Sequence, residues 1–197
     1  MKLSEADYSS LWAGELAQRI AEQRVRIEND IHTYGQPVLD SEIWQKALRQ
    51  KHHNYWTVGS HSMSVCVAAL RMSYWLEERG IHTDRKRIVR AALCHDLGII
   101  GRNEKYKNNA VCCHRHPIDS IPIAREIYPD IDEETIEDIR WHMWPMCLMP
   151  PTNREGFLII LADKYAATGE GLPIDRLERY QKMLNISILS GVRVGLS

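Results

Sequence analysis

Apolar side chains recur at intervals of three and four residues along almost the whole chain. After Asp84, which has the character of an N-cap, one such face is formed by Ile88, Ala91, Ala92 and His95. This spacing places its members on one side of an α-helix. Because the same spacing returns in segment after segment, the sequence predicts an all-α fold, a compact helical bundle.

Capping and breaking residues set the expected limits of these helices. We predict helices over residues 5–32, 41–48, 60–80, 84–98, 122–128, 132–142, 156–168 and 173–185. Gly35 and Pro37 are expected to end the first helix, and the polar segment from about 99 to 116 is expected to be a loop. Residues 186–197 fit a short strand or a frayed end equally well.

Composition narrows the class of protein. With 197 residues, 44% hydrophobic and 26% charged, the chain is expected to form one globular unit. No apolar run approaches the roughly 20 residues of a membrane span, and no secretory leader is visible. A net charge of -1 argues against general nucleic-acid binding. The five cysteines form no CxxC pair, so we expect reduced thiols in a cytoplasmic protein.

Titratable side chains fall on the apolar faces of four separate predicted helices. His61, His95, His142 and Asp163 each stand in line with buried positions, and Asp96 follows His95 directly. A single inward histidine is commonly a hydrogen-bonded core residue, but an unpaired buried carboxylate is costly and needs a partner or a metal. A divalent cation satisfies several buried imidazoles and carboxylates together, so the pattern predicts a metal centre in the bundle core.

The order and context of these residues resemble a known family. His61 in SHSMSVCVAAL, His95-Asp96 in AALCHDLG and Asp163 in ILADKYAAT are similar to the H…HD…D signature of the HD superfamily of metal-dependent phosphohydrolases. The resemblance covers roughly residues 50 to 170. We therefore divide the chain into an N-terminal helical extension at 1–37, which precedes the resemblance, an HD-type metal-binding domain at 38–185 and a C-terminal tail at 186–197.

The resemblance also implies a ligand set. His61, His95, Asp96 and Asp163 would hold one divalent ion, and Asp96 would bridge to a second ion held by His116 and His142. Metal-bound water near Asp96 would then be the catalytic group. His114 competes with His116 for the ligand position, and we favour His116. If one ion binds, His116 and His142 face the substrate instead. Imidazole and carboxylate leave the metal open among Mn, Fe, Zn, Ni, Co and Mg.

A phosphorylated substrate needs cationic groups or hydrogen-bond donors beside the metals. The expected substrate-facing or supporting residues are His53, His114, Arg102, Lys105 and Lys164. The leading hypothesis is hydrolysis of a small phosphate ester by a metal-bound hydroxide, with nucleotides among the candidate substrates. The alternatives are a di-iron oxygenase on the same scaffold and a metal-binding regulatory module without turnover.

The first predicted helix carries an apolar stripe of its own. This stripe includes Leu11, Trp12, Leu16, Ile20 and Ile27. It either covers the bundle or pairs with a second copy of the chain, and we favour a homodimer.

Overall fold

Eight α-helices and one short 3₁₀ helix make up the described part of the chain. The computed structural model describes residues 5–52, 56–147 and 149–170. The helices are α1 (Glu5–Leu39), α2 (Glu42–Ala47), α3 (Val58–Glu77), α4 (Arg85–Cys94), the 3₁₀ helix (Leu97–Ile99), α5 (Arg102–Lys105), α6 (Asn109–Ile127), α7 (Glu133–Trp141) and α8 (Arg154–Glu170). Over these ranges the β-structure consists of a single antiparallel bridge between Lys51 and Thr57. The predicted all-α class is therefore confirmed.

The far C-terminal predictions lie outside the described residues. These are the helix at 173–185 and the tail at 186–197. The proposed domain limits at 37/38 and 185/186 stay predictions. Among the helices that the structure describes, none has the length and apolarity needed to cross a bilayer. All five cysteines carry free thiols.

Helix α1 continues past the residues that were expected to end it. It runs to Leu39 with Gly35 and Pro37 inside it, so the predicted end near residue 32 is wrong. A Cβ on Gly35 would lie 2.7 Å from the Leu93 side chain, and the glycine thus lets α1 pack closely on α4. Val38, in the last turn, is fully buried. Its burial outweighs the loss of one backbone N–H at Pro37.

Helix α6 replaces the second part of the predicted loop, from residue 109 onward. Asn108 caps it by accepting a hydrogen bond from the Val111 N–H, and the helix then passes through both Pro117 and Pro122. The predicted loop is wrong over residues 109–116 and over the short helix α5, while residues 100–101 and 106–108 are non-helical as expected. The predicted helix start at Pro122 is wrong, because α6 begins at Asn109. His116, Ser120 and Ala124, spaced four residues apart, are buried on one face of α6. That tertiary burial outweighs the local preference of proline to end a helix.

Helices α3 and α4 form the centre of the molecule. Helix α3 packs against α4 and α8, and α4 also contacts α1, α7 and α8. Thr57 and Ser60 form a reciprocal capping box that fixes the first turn of α3. Asp84 and Asp132 cap α4 and α7 by accepting backbone N–H bonds. With these starts fixed, the first turn of α3 and the C-terminal ends of α4 and α7 meet the middle of α6 and of α8.

Candidate metal centre

Six of the residues predicted from sequence lie together at this meeting point. They are His61 on α3, His95 and Asp96 just after α4, His116 on α6, His142 at the end of α7, and Asp163 on α8. None is more than 7% exposed. Side chains separated by up to 102 positions in the chain therefore share one buried cluster.

The two carboxylate oxygens of Asp96 face different histidines. Its Oδ1 lies 3.0 Å from Nε2 of His116 and 3.5 Å from Nε2 of His142. Its Oδ2 lies 3.5 Å from Nε2 of His95 and 3.8 Å from Nε2 of His61. One carboxylate thus joins two sets of imidazoles, which is the arrangement of a bridging ligand.

Asp163 completes the set that faces Asp96 Oδ2. Its Oδ1 lies 3.0 Å from Nε2 of His61. Its Oδ2 accepts a hydrogen bond of 2.7 Å from the ammonium group of Lys164. Burial alone would raise the pKa of Asp163, but the hydrogen bond and charge of His61 hold it far below its usual range. Asp163 is therefore an anion in the buried cluster.

Backbone carbonyls orient three of the imidazoles. Nδ1 of His95 lies 2.8 Å from the Ala92 carbonyl oxygen, and Nδ1 of His116 lies 2.8 Å from that of Cys112. Nδ1 of His142 lies 2.7 Å from the Ile139 carbonyl oxygen. Because a carbonyl oxygen only accepts, each Nδ1 carries the hydrogen. The Nε2 atoms are then free to act as ligands toward the centre.

The charge states of the cluster suit a cation. Burial lowers the pKa of His95 to about 4, so this imidazole is neutral near pH 7. Burial alone would raise the pKa of Asp96, but His95, His116 and His142 hold it well below its usual range. For His116, burial lowers the pKa, yet the hydrogen bond and charge of Asp96 raise it overall. A proton on His116 Nε2 thus occupies a place that a metal ion can take.

The donor set fits one or two divalent cations. Nε2 of His95 is buried without a hydrogen-bond partner among the described residues. Nε2 of His116 and Nε2 of His142 lie only 3.0 Å apart. The donor atoms form three overlapping groups, and within each group all of the atoms lie within 4.8 Å of one another. The groups are His61, His95 and Asp163; His95, Asp96 and His142; and His52, His61 and Asp96. Imidazole and carboxylate donors at these separations are compatible with an HD metal site and leave the metal's identity open.

Ser120 connects the two halves of the cluster through the backbone. Its hydroxyl lies 2.7 Å from the carbonyl oxygen of His95 and 2.8 Å from that of His116. The Ser120 hydroxyl oxygen also accepts a hydrogen bond of 2.8 Å from the Gly98 N–H. A Cβ on Gly98 would clash with the His116 carbonyl oxygen, so the glycine permits this close packing.

The predicted substrate-facing residues differ in how close they lie to the cluster. Lys164 lies at the edge of the cluster, with its side chain 42% exposed. The Arg102 guanidinium donates a hydrogen bond of 2.6 Å to Oδ1 of Asn109. Lys105 is exposed, and its ammonium group lies 3.5 Å from the Gly98 carbonyl oxygen. The structure does not bring His114 into the cluster, since its side chain is exposed on α6. His53 lies outside the described residues.

His52 is the residue that sequence reasoning missed. Its neighbours in the sequence are polar, and it is not among the site residues expected from the sequence. Its side chain is 9% exposed, and Nε2 lies 3.5 Å from Asp96 Oδ2. Its ring centre is 4.7 Å from that of His61. His52 precedes α3 and belongs to no apolar stripe, so helical periodicity gave no signal for it.

Comparison with known families agrees with this geometry. The family model of the HD domain matches residues 58–168, which is more than half of the chain. The matched range begins at the start of α3, ends within α8 and contains all six clustered residues. No curated protein and no solved structure matched the chain.

Proposed function

Because the chain belongs to the HD domain family, we propose that it hydrolyses a small phosphate ester. This superfamily is of the metal-dependent phosphohydrolase type, and some of its members are non-catalytic. The substrate class we favour includes nucleotides. We further propose that His61, His95, Asp96 and Asp163 hold one divalent ion, and that His116 and His142 hold a second ion bridged by Asp96. A cytoplasmic location remains a prediction.

The position of Asp96 carries the proposal. Its two oxygens face separate sets of imidazoles at 3.0–3.8 Å, and the carboxylate is ionised in a buried site. Two divalent ions bound there would lower the pKa of a coordinated water and neutralise both the attacking and the leaving oxygen of a phosphate ester. The protein's own part is to hold six donors in place and to keep bulk water out, since all six are buried.

Lys164 supports a phosphorylated substrate over an uncharged one. Its ammonium group lies 2.7 Å from Asp163 Oδ2 and is 42% exposed, so it can turn toward a ligand that enters at the edge of the cluster. A cation in that place stabilises the negative charge of a phosphoryl group. A lysine acts there as a point charge and does not select one ester over another.

Two other functions remain as competing proposals. A di-iron oxygenase on this scaffold would use the same histidines and aspartates. A non-catalytic metal-binding module would hold the ions without turnover. The presence of all six donors in one buried cluster favours an enzyme over the module.

The test is elemental analysis of the purified protein together with assays of both chemistries. The manganese-loaded protein is given an aryl phosphate and a panel of nucleotides, and phosphate release is measured. The iron-loaded protein is tested for oxygen consumption and for an electron paramagnetic signal. Asp96→Asn, purified in the same way, is the control for contaminating phosphatases.

We expect phosphate release that depends on metal and disappears in Asp96→Asn. Phosphate release that is equal in the variant would refute the proposal. Oxygen consumption by the iron form without phosphate release by the manganese form would favour the oxygenase. Bound metal with neither activity would favour the regulatory module.

A further inference from the structure

His52 lies as close to Asp96 Oδ2 as a residue of the proposed ligand set. The distance from His52 Nε2 to Asp96 Oδ2 is 3.5 Å, which equals the distance from His95 Nε2 to the same oxygen. His61 Nε2 is slightly farther from that oxygen, at 3.8 Å. Three imidazole nitrogens thus surround one carboxylate oxygen.

These separations suit ligands of a common ion. Metal–nitrogen and metal–oxygen bonds of about 2.0–2.2 Å place neighbouring donor atoms roughly 3–3.6 Å apart. The donor atoms of His52, His61 and Asp96 all lie within 4.8 Å of one another. The His52 side chain is also 9% exposed, so its ring is directed into the protein and not toward solvent.

The backbone holds His52 in register with His61. The His52 N–H donates a hydrogen bond of 2.9 Å to the Trp56 carbonyl oxygen, and Lys51 pairs with Thr57 in the one bridge of the described chain. Thr57 is the N-cap of α3, and the His61 N–H donates to its carbonyl oxygen at 3.0 Å. The segment before α3 is therefore tied to the first turn that carries His61.

We propose that His52 is a further metal ligand, bound to the ion that Asp96 Oδ2 and His61 hold. The inference rests on the proposed metal centre and adds a fifth protein donor beside His61, His95, Asp96 and Asp163. Three imidazoles and two carboxylates make this ion site rich in nitrogen. Such a site prefers cobalt, nickel or zinc over magnesium.

Cobalt(II) is the probe, because its visible absorption reports the number and type of its ligands. The unaltered protein and the variants His52→Phe and His52→Gln are titrated with cobalt chloride. Phenylalanine keeps a ring in the pocket without a donor atom, and glutamine keeps polarity with a weaker one. His32→Gln is the matched control, since His32 is an exposed histidine on α1.

We expect the cobalt absorption of both His52 variants to change in shape. We also expect the affinity for one ion to fall at least about tenfold, because loss of even an outer partner of a ligand costs about 10–100-fold. The His32→Gln protein should match the unaltered chain. An unchanged spectrum and affinity in both His52 variants would overturn the inference.

A second measurement needs no substitution. In the cobalt-loaded unaltered protein, imidazole N–H signals of bound histidines shift strongly by contact with the paramagnetic ion. With two cobalt ions bound per chain, five shifted imidazoles are expected if His52 is a ligand, and four would exclude it. The result therefore does not depend on the folding of a variant.

The outcome separates this inference from the proposed function. Five shifted imidazoles without any phosphate release would leave His52 as a ligand and remove the hydrolase. Metal-dependent phosphate release with four shifted imidazoles would support the hydrolase and exclude His52 as a ligand. Failure of the unaltered chain to bind cobalt would overturn both.

Discussion

The side-chain hydroxyl of Ser120 lies 2.7 Å from the carbonyl oxygen of His95. Ser120 belongs to α6, whereas His95 follows the last residue of α4. This contact lets one helix hold the backbone of the segment that carries two proposed ligands. The Ser120 hydroxyl has a single hydrogen, so it donates either to this carbonyl or to that of His116.

Ser120→Ala should loosen the metal centre without removing a ligand. The variant leaves the Gly98 N–H without its acceptor, and this should lower the free energy of unfolding by about 1–3 kcal/mol. Weaker cobalt binding should accompany the loss. Ser73→Ala is the control, because Ser73 is also fully buried but bonds to Thr83, away from the cluster. Equal cobalt affinities in the two variants would refute this role of Ser120.

Asp96→Ala should abolish metal retention and activity together. Asp96 faces both sets of imidazoles, so its removal would take a ligand from each of the two proposed ions. The measurement is metal content after gel filtration, compared with phosphate release. A variant that keeps two ions per chain would contradict the bridging assignment.

His142→Ala should lose one ion and keep the other. Among the described residues, the carboxylate oxygen that His142 contacts is Oδ1 of Asp96. The variant leaves His61 and Asp163 in place on the Oδ2 side. Elemental analysis gives the number of ions that remain. If the variant binds as many ions as the unaltered chain, His142 is a core residue and not a ligand.

Asp138→Asn should change how stability depends on pH. Asp138 is 1% exposed, and burial raises its pKa to about 7. Because this value lies above that of the unfolded chain, the folded state binds the proton more tightly. Stability should then fall as pH rises from about 4 to 7, by up to about 1.4 kcal/mol per pH unit.

The asparagine cannot ionise, so the variant should gain stability relative to the unaltered protein at pH 8 and gain none at pH 4. Urea unfolding at both pH values, at equal metal content, measures this difference. Asp40→Asn serves as the control because Asp40 is exposed. A difference between Asp138→Asn and the unaltered chain that is the same at both pH values would be evidence against the prediction.

Ile20→Asp should break the homodimer that we propose. Ile27 and Ile31 of the same α1 stripe are buried in the core, but Ile20 is 36% exposed. It lines a surface depression with Arg19, Gln23, Arg26 and Glu78. Light scattering should report a dimer for the unaltered chain and a monomer for Ile20→Asp. Val25→Asp, at an exposed position of α1 outside this depression, should remain a dimer. A monomeric unaltered chain would refute the proposal.

Much of the centre could be predicted because the relevant residues are periodic. His61, His95, His142 and Asp163 share a face with buried apolar neighbours, and helical spacing alone places them inward. The capping residues Asp84 and Asp132 also mark the starts of α4 and α7 as expected. These features depend on local chemistry, which the sequence displays directly.

The missed features depend on contacts between distant segments. Pro117 and Pro122 locally favour a break, but α6 continues because its buried face packs against the segment after α4 and against α7. His52 stands in a non-helical segment, where no periodicity indicates which way a side chain points. Its position follows from the bridge between Lys51 and Thr57, and such a bridge has no signature in the sequence.

Gly98 has no functional group, yet it governs the spacing of the whole centre. Any side chain at this position would push against the His116 carbonyl oxygen and the Ser120 backbone. An alanine there would wedge α6 away from the end of α4 and widen the gap across which the Asp96 carboxylate must reach. The reach of a single carboxylate is short, so the absence of one methyl group at Gly98 limits the width of the dinuclear site that we propose.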